Sequence, residues 1–105
     1  MTAPNEQLYL SLQGLGLSNH EILIYLASLE LGATSIWEIA KKSGVKRTTC
    51  YTVLEDLSMK GFASSSNDGK RDVYSVVSPK QLLRLAEYRY DRLVSSASQL
   101  EALAS

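Results

Sequence analysis

Six side chains between positions 46 and 52 stand out for the chemistry they could do: Lys46, Arg47, Thr48, Thr49, Tyr51 and Thr52. They offer two cations and four hydroxyls, a set that suits phosphate oxygens and the edges of bases. Between Ile39 and Leu54 no residue is acidic, whereas Lys41, Lys42, Lys46 and Arg47 are basic. The forked guanidinium of Arg47 has the reach and the donors for a guanine edge or for a phosphate. Glu55 follows, and a carboxylate there would repel phosphates. A groove contact should therefore end before it, unless Glu55 accepts a hydrogen bond from a cytosine amino group. Bond-making chemistry is not expected. The chain has one histidine, His20, and one cysteine, Cys50, in different contexts. No phosphate-binding glycine loop, metal cluster or nucleophile–base pair is visible, so the chain reads as no enzyme, with no cofactor and no metal site. His20 lacks partners and reads as a surface histidine.

Two short helices joined by a tight turn must position the six residues. Ser35-Ile36-Trp37-Glu38 has the form of a capping box, which starts the first helix. Ile39 and Ala40 give it an apolar face, and Gly44 stops it. The second helix opens near Lys46 and runs to about Lys60. Cys50, Val53, Leu54 and Leu57 fall at i, i+3, i+4 and i+7, which makes one buried stripe. The opposite side carries Thr48, Thr52 and Glu55, flanked by Thr49 and Tyr51. The helix dipole adds positive potential at the same end as Lys46 and Arg47. The alternative is an ordinary solvated helix face. Trp37 stands where a small or polar residue would serve. It can plug the core edge, stack at a dimer contact or lie against a sugar-phosphate, and the core edge is the expectation.

Composition bounds the rest. At 105 residues with 45% hydrophobic content, the chain is long enough for a modest core. Eleven basic and eleven acidic residues cancel, which argues against a coating protein that binds by bulk charge but permits a local basic patch. One cysteine excludes an internal disulfide and a cysteine metal cluster, and fits a reducing cytoplasm. MTAPNEQLYLSL does not read as a signal peptide, and no stretch approaches the ~18 apolar residues of a membrane span.

In chain order, Pro4-Asn5 precedes a short helix with Leu8, Leu10, Leu12 and Leu15 as its apolar residues. Ser18-Asn19-His20-Glu21 forms a second capping box. The helix it opens has Ile22, Leu26 and Leu29 as its expected core stripe, with Tyr25 alongside, and Gly32 closes it. Residues 33–35 leave room for a turn or a very short strand. Residues 62–66 and 72–76 read as strands around an Asn-Asp-Gly-Lys turn. The hairpin tip bears Lys70 and Arg71, cations that can lie along a minor groove or on flanking phosphates. Ser78-Pro79-Lys80-Gln81 is a third capping box, with proline at the first helical position. One last helix is expected from there almost to Ser105, roughly 39 Å long at 1.5 Å per residue. Leu83, Ala86, Tyr90, Leu93, Ala97, Leu100 and Ala104 recur on it at alternating spacings of 3 and 4, a heptad stripe. Leu82, Leu85 and Val94 widen it. Its expected partner is the first helix, the same helix of a second subunit, or both; parallel and antiparallel packing both remain open.

These pieces resemble the winged helix-turn-helix domain of the TrmB family of transcriptional regulators. The resemblance runs from about Leu15 to Leu83. It rests on LGLSNHEILIYLASLELG, on SIWEIAKKSGVKRTTCYTVLEDLSMKGF, on the wing from Gly69 to Val76 and on Ser78-Pro79. In the family, Pro typically stands where Lys46 is and an aliphatic residue where Cys50 is, so Cys50 reads as a small core residue. The resemblance implies a DNA-binding transcription factor, usually dimeric, found in archaea and bacteria. Many members carry a C-terminal sugar-binding domain. This chain ends at Ser105, so sugar sensing is not carried over and the effector, if any, is unknown.

The expected fold is mainly α with a small β-hairpin, a winged helix-turn-helix with a long C-terminal helix. Residues 1–78 would form the DNA-binding domain and residues 79–105 a dimerisation element. The expected function is a sequence-specific double-stranded DNA-binding regulator acting as a homodimer, cytoplasmic and nucleoid-associated, with no membrane partner. The alternatives are a winged-helix protein adaptor and an architectural chromosomal protein. The acid-free patch with Lys70 and Arg71 favours DNA over the adaptor, and zero net charge speaks against the architectural protein.

Overall fold

The computed structural model describes residues 3–105, with side chains from Glu6 onward. Met1 and Thr2, the start of the segment read above as no signal peptide, lie outside the described residues. The elements in order are α1 (Ala3–Gly14), α2 (Asn19–Leu31), α3 (Ile36–Ser43), α4 (Arg47–Met59), β1 (Ala63–Asn67), β2 (Asp72–Val76), α5 (Pro79–Ser95) and α6 (Ala97–Ala104). This is a winged helix-turn-helix, mainly α with a small antiparallel hairpin.

Serines start three of the helices. Ser18 makes a full box: its hydroxyl accepts the Glu21 N–H at 3.2 Å, and the Glu21 carboxylate accepts the Ser18 N–H at 2.8 Å. Ser35 and Ser78 accept from the N–H groups of Glu38 and Gln81, without the return bond of a complete box. Each such cap stabilises its helix by about 0.5–2 kcal/mol. Gly44 adopts the left-handed conformation, φ 77° and ψ 7°, that turns the chain from α3 toward α4.

The central element is α2, which packs on α1, α3, α4 and β2. It therefore buries a wide arc made by Glu21, Ile22, Ile24, Tyr25, Ala27 and Ser28. The expected stripe of Ile22, Leu26 and Leu29 is only partly right. Ile22 is fully buried, Leu26 is half-buried, and Leu29 lies on the exposed side with Leu23. A stripe drawn for one packing partner points wrongly in a helix surrounded by four. On α1, Leu12 is buried while Leu8 and Leu10 face outward, and Leu15, just past its end, is half-buried. The tyrosine hydroxyl of Tyr9 donates to the side-chain carbonyl of Asn19 and ties α1 to the start of α2.

The α4 stripe is as expected: Cys50, Val53, Leu54 and Leu57 are all buried, together with Ile36 and Ile39 of α3. Burial pushes the Cys50 thiol up from its ordinary pKa, and its sulfur donates to the Val45 carbonyl at 3.4 Å, so it serves the core. Phe62 closes the core below the wing. Its N–H donates to the Leu57 carbonyl at 2.8 Å, and its carbonyl accepts from Val77 at 3.0 Å. The Tyr25 hydroxyl donates to the Val77 carbonyl at 2.9 Å, which fastens the end of the wing to α2.

In the wing, β1 pairs with β2 from Ala63 opposite Val76 to Asn67 opposite Asp72. The connector before α3 supplies a third edge, with Thr34 and Tyr74 exchanging backbone hydrogen bonds of 3.0 and 2.7 Å. Thus β2 is the middle of a narrow ribbon whose root is the start of α3.

After the wing, α5 is anchored by residues from Leu82 to Arg89. Leu82 enters the core, Leu85 is half-buried, and Arg89 donates to the Lys60 carbonyl at 2.7 Å while lying over the Phe62 ring. The single helix expected to reach Ser105 is interrupted at Ser96. The Ser95 hydroxyl donates back to the Asp91 carbonyl at 3.0 Å, and the Ser96 N–H is shared between the carbonyls of Arg92 and Leu93. Serine back-bonding of this kind loosens the helical ladder. Among the described residues α1 packs on α2 and not on α5 or α6, so α1 does not cover the heptad stripe. Leu83, Tyr90, Leu93, Ala97 and Leu100 are exposed and Ala86 is half-buried. No helix among the described residues is long and apolar enough to cross a membrane.

Candidate nucleic-acid interface

The turn at Gly44 and the buried Val45 deliver the chain to Lys46, the N-cap of α4. Lys46 makes no side-chain cap. The other capped helices, α2, α3 and α5, each start on a serine that does. Nor does the first turn of α4 contain an acidic residue. Instead Lys46 and Arg47 put two cations where the helix dipole disfavours each by about 0.3–1 kcal/mol. Local stability does not explain that choice; an external anion would.

From this end, Thr48, Tyr51, Thr52 and Glu55 run along the exposed side of α4, and Arg47 and Thr49 are half-buried beside it. Arg47 lies over the indole of Trp37, its guanidinium carbon 3.7 Å from the ring centroid. Trp37 is 65% exposed, so it does not plug the core edge as expected. The reason is angular. Ile36, Ile39 and Ala40 form the inward face of α3, and Trp37 is turned about 100° from Ile36.

Tyr51 leans from α4 toward the wing. A cleft of about 290 Å³ opens there, lined by Ser35, Ile36, Trp37, Tyr51, Arg71, Asp72 and Tyr74. The structure thus brings Arg71 into the neighbourhood of Tyr51 and Trp37. Burial, with Asp72 and Tyr51 nearby, raises the Tyr74 phenol above its ordinary pKa, so it stays a neutral donor. Lys70 is at the exposed wing tip, apart from this cleft.

The wing tip is less basic than Lys70 and Arg71 alone imply. Asp68 and Asp72 flank them. One Asp68 oxygen accepts the backbone N–H groups of Lys70 and Arg71 at 3.0 and 3.1 Å, and its other oxygen is 3.9 Å from the Arg71 guanidinium. Those backbone hydrogen bonds hold the Asp68 carboxyl below its ordinary pKa. Asn67 completes the turn by accepting from Gly69 and donating to Asp72. Of the basic residues on the helix pair, Lys42 is engaged at 3.2 Å by Glu30. Lys46 and Arg47 form no ion pair among the described residues.

Sequence reasoning preferred the core edge for Trp37 over a place on this surface, and missed Tyr74. The signal for Trp37 was present: it stands one residue after Ile36, off the Ile36–Ile39–Ala40 stripe. Tyr74 gave no such sign, because its position depends on which face of the ribbon meets Thr34.

Known proteins are similar to this chain in sequence and in fold. Residues 12–80 match the family described as sugar-specific transcriptional regulator TrmB. The chain is 36% identical over 78 residues to the HTH-type sugar sensing transcriptional regulator TrmBL1 of Pyrococcus furiosus, covering 74% of this chain and 23% of that protein. It is 32% identical over 98 residues to the uncharacterized protein YrhO of Bacillus subtilis, covering 90% of this chain and 35% of that one. Among solved structures it is similar to TrmBL2, described as an archaeal chromatin protein with a novel mode of DNA binding. The TM-score is 0.80 at 26% identity, over 95% of this chain and 39% of that one. The chain therefore spans well under half the length of each of these relatives.

Proposed function

The chain belongs to the TrmB family of transcriptional regulators, and on that premise we propose that it is a sequence-specific double-stranded DNA-binding regulator that acts as a homodimer. Residues 1–78 are the reading unit and residues 79–105 the pairing element. The N-terminal end of α4 enters the major groove, with Arg47, Thr48, Thr49, Tyr51 and Thr52 as its contacts and Lys46 on the adjoining phosphate. Lys70 and Arg71 of the wing lie along the flanking backbone. No catalytic role is part of this reading.

One observation carries it. Among the described residues, the first turn of α4 has cations without an ion pair, no acid and no side-chain cap, an arrangement that an external phosphate would complete. Pairing rests on the exposed Leu83, Tyr90, Leu93 and Leu100. Selection of binding sites from a pool of random duplexes tests both parts. A regulator of this kind enriches one motif with two-fold symmetry, because two recognition helices related by a dyad read two half-sites.

A second reading is that of an architectural chromosomal protein with little base preference. The likeness to TrmBL2, described as a chromatin protein, favours it, and the zero formal net charge does not. The same selection separates the two, since an architectural binder enriches no motif.

A further inference from the structure

The stack of Arg47 on Trp37 differs from that of Arg89 on the core residue Phe62. Arg89 lies over Phe62 and also spends its N–H donors on the Lys60 carbonyl at 2.7 Å, which locks α5 to the end of α4. Arg47 lies closer to its ring, 3.7 Å from the centroid. It makes no hydrogen bond or ion pair among the described residues. At that distance the guanidinium carbon is in van der Waals contact with the indole face, and its five N–H donors are left without a hydrogen-bond partner among the described residues. Their direction is restricted while none of them is consumed.

Both residues stand at the start of a helix. Trp37 is the second residue of α3 and Arg47 the first of α4. The Gly44 turn fixes the two helix starts relative to each other, and Ile36 beside Trp37 is buried. The indole therefore rests on a rigid base. A cation at the N-terminus of a helix gains nothing from the dipole, and an indole left 65% exposed gains little from burial. Neither residue serves stability well where it is.

We propose that Trp37 is a positioning residue for recognition: its indole face holds the Arg47 guanidinium in one plane, so that the fork meets a bidentate acceptor on the duplex already oriented. This rests on the DNA-binding reading above. A flexible arginine must give up its rotamer freedom on binding, and a stacked one has given it up in advance. The guanidinium charge is delocalised and weakly hydrated, and stacking on an aromatic face leaves it in place, so Arg47 keeps its attraction for phosphate or for guanine. Trp37 itself acts through Arg47 and contributes no donor to the contact.

Trp37 is the chain's single tryptophan, so its fluorescence reports the stack without DNA. Arg47→Ala should shift or brighten that emission and Thr48→Ala should leave it unchanged. Binding of a selected duplex is then measured for the unmodified protein, Trp37→Ala, Trp37→Leu, Trp37→Phe, Arg47→Ala and the Trp37→Ala/Arg47→Ala double variant. Trp37→Ala and Trp37→Leu should each weaken binding about two- to fivefold, the size of an exposed cation–π contact. Trp37→Phe should recover most of the loss, and the thermal midpoint of all three should stay close to that of the unmodified protein. In the Arg47→Ala background, Trp37→Ala should have no further effect. A Trp37→Ala protein that binds as well as the unmodified one overturns the proposal. So does an equal loss in the presence and absence of Arg47, which would make Trp37 a contact in its own right. If the emission responds to Arg47→Ala but no duplex binds the unmodified protein, the stack stands and both the DNA-binding reading and this role for Trp37 fall. If the emission ignores Arg47→Ala while DNA binds, only the role of Trp37 falls.

Discussion

The ammonium of Lys60, at the end of α4, lies 2.8 Å from a carboxylate oxygen of Glu21, in the first turn of α2. The same ammonium donates to the Gly16 carbonyl at 3.2 Å, and the same carboxylate oxygen accepts the Ser18 N–H at 2.8 Å. One ion pair thus joins the end of α4 to the start of the central helix, with the Glu21 side chain buried and the Lys60 side chain partly exposed.

Acid should weaken this joint. Burial pushes the Glu21 carboxyl up, but the hydrogen bonds from Lys60 and from the Ser18 N–H outweigh it and leave the pKa below its ordinary value of 4.5. A carboxyl depressed on folding stabilises the protein above its unfolded pKa and loses that contribution as pH falls through the folded value. Thermal melts should therefore show a loss that begins near pH 4.5 and grows below it. Glu21→Gln should cost about 1–3 kcal/mol at neutral pH, the size of a charge-assisted hydrogen bond, and should flatten this part of the pH profile. An unchanged profile in Glu21→Gln would remove Glu21 as its source.

Core packing gives a second expectation. Leu54 is buried between α4 and its neighbours, so Leu54→Ala should destabilise the domain by about 2–5 kcal/mol. Leu29→Ala, on the exposed side of α2, should cost much less. Chemical denaturation of the two variants side by side checks the assignment of inside and outside, and equal losses would contradict it.

The sequence made the helix pair legible because two local rules coincided there. Serine caps and Gly44 marked the ends, and Cys50, Val53, Leu54 and Leu57 faced a single apolar interior. Where an element met several partners, the same rules gave less. The stripe on α2 was misdrawn at Leu29 because four neighbours, not one, cover that helix. The interruption at Ser96 was hidden because a heptad count registers spacing and ignores a serine hydroxyl that bonds backward to Asp91. The basic residues of the candidate interface were evident from their clustering, but the pairing of Lys42 with Glu30 and the Asp68 brace beneath Arg71 depend on contacts in space. The turn from α3 to α4, which brings Trp37 against Arg47, is likewise a tertiary fact.

Assembly is tested on the exposed side of α5 and α6. Leu93→Glu with Leu100→Glu should give a folded monomer by sedimentation that binds a two-half-site duplex more weakly than the unmodified protein. Charges placed in an apolar seam cannot be desolvated when the seam closes. The unmodified protein sedimenting as a monomer at micromolar concentration would refute pairing.

The wing should contribute less than the helix. Lys70 is unpaired among the described residues, whereas Arg71 is already held near Asp68. Lys70→Ala should lower affinity about equally for all sequences and make the log–log salt slope shallower by about 0.9. Arg71→Ala should have a smaller effect. Salt titrations of both variants decide this, and an unchanged slope for Lys70→Ala would place the wing tip away from phosphate.

The central claim is that the start of α4 reads duplex sequence. The direct measurement is an anisotropy titration of the unmodified protein and Arg47→Ala at several salt concentrations, against the selected duplex and a scrambled duplex of the same composition. A sequence-reading α4 predicts salt-dependent binding to both, tighter to the selected duplex by about a thousandfold or more. It also predicts that Arg47→Ala weakens binding to the selected duplex by about 1–3 kcal/mol if Arg47 meets a base, with one base pair losing its preference. Equal affinity for the two duplexes at every salt concentration would contradict sequence reading, and the absence of any salt-dependent binding would contradict duplex binding altogether.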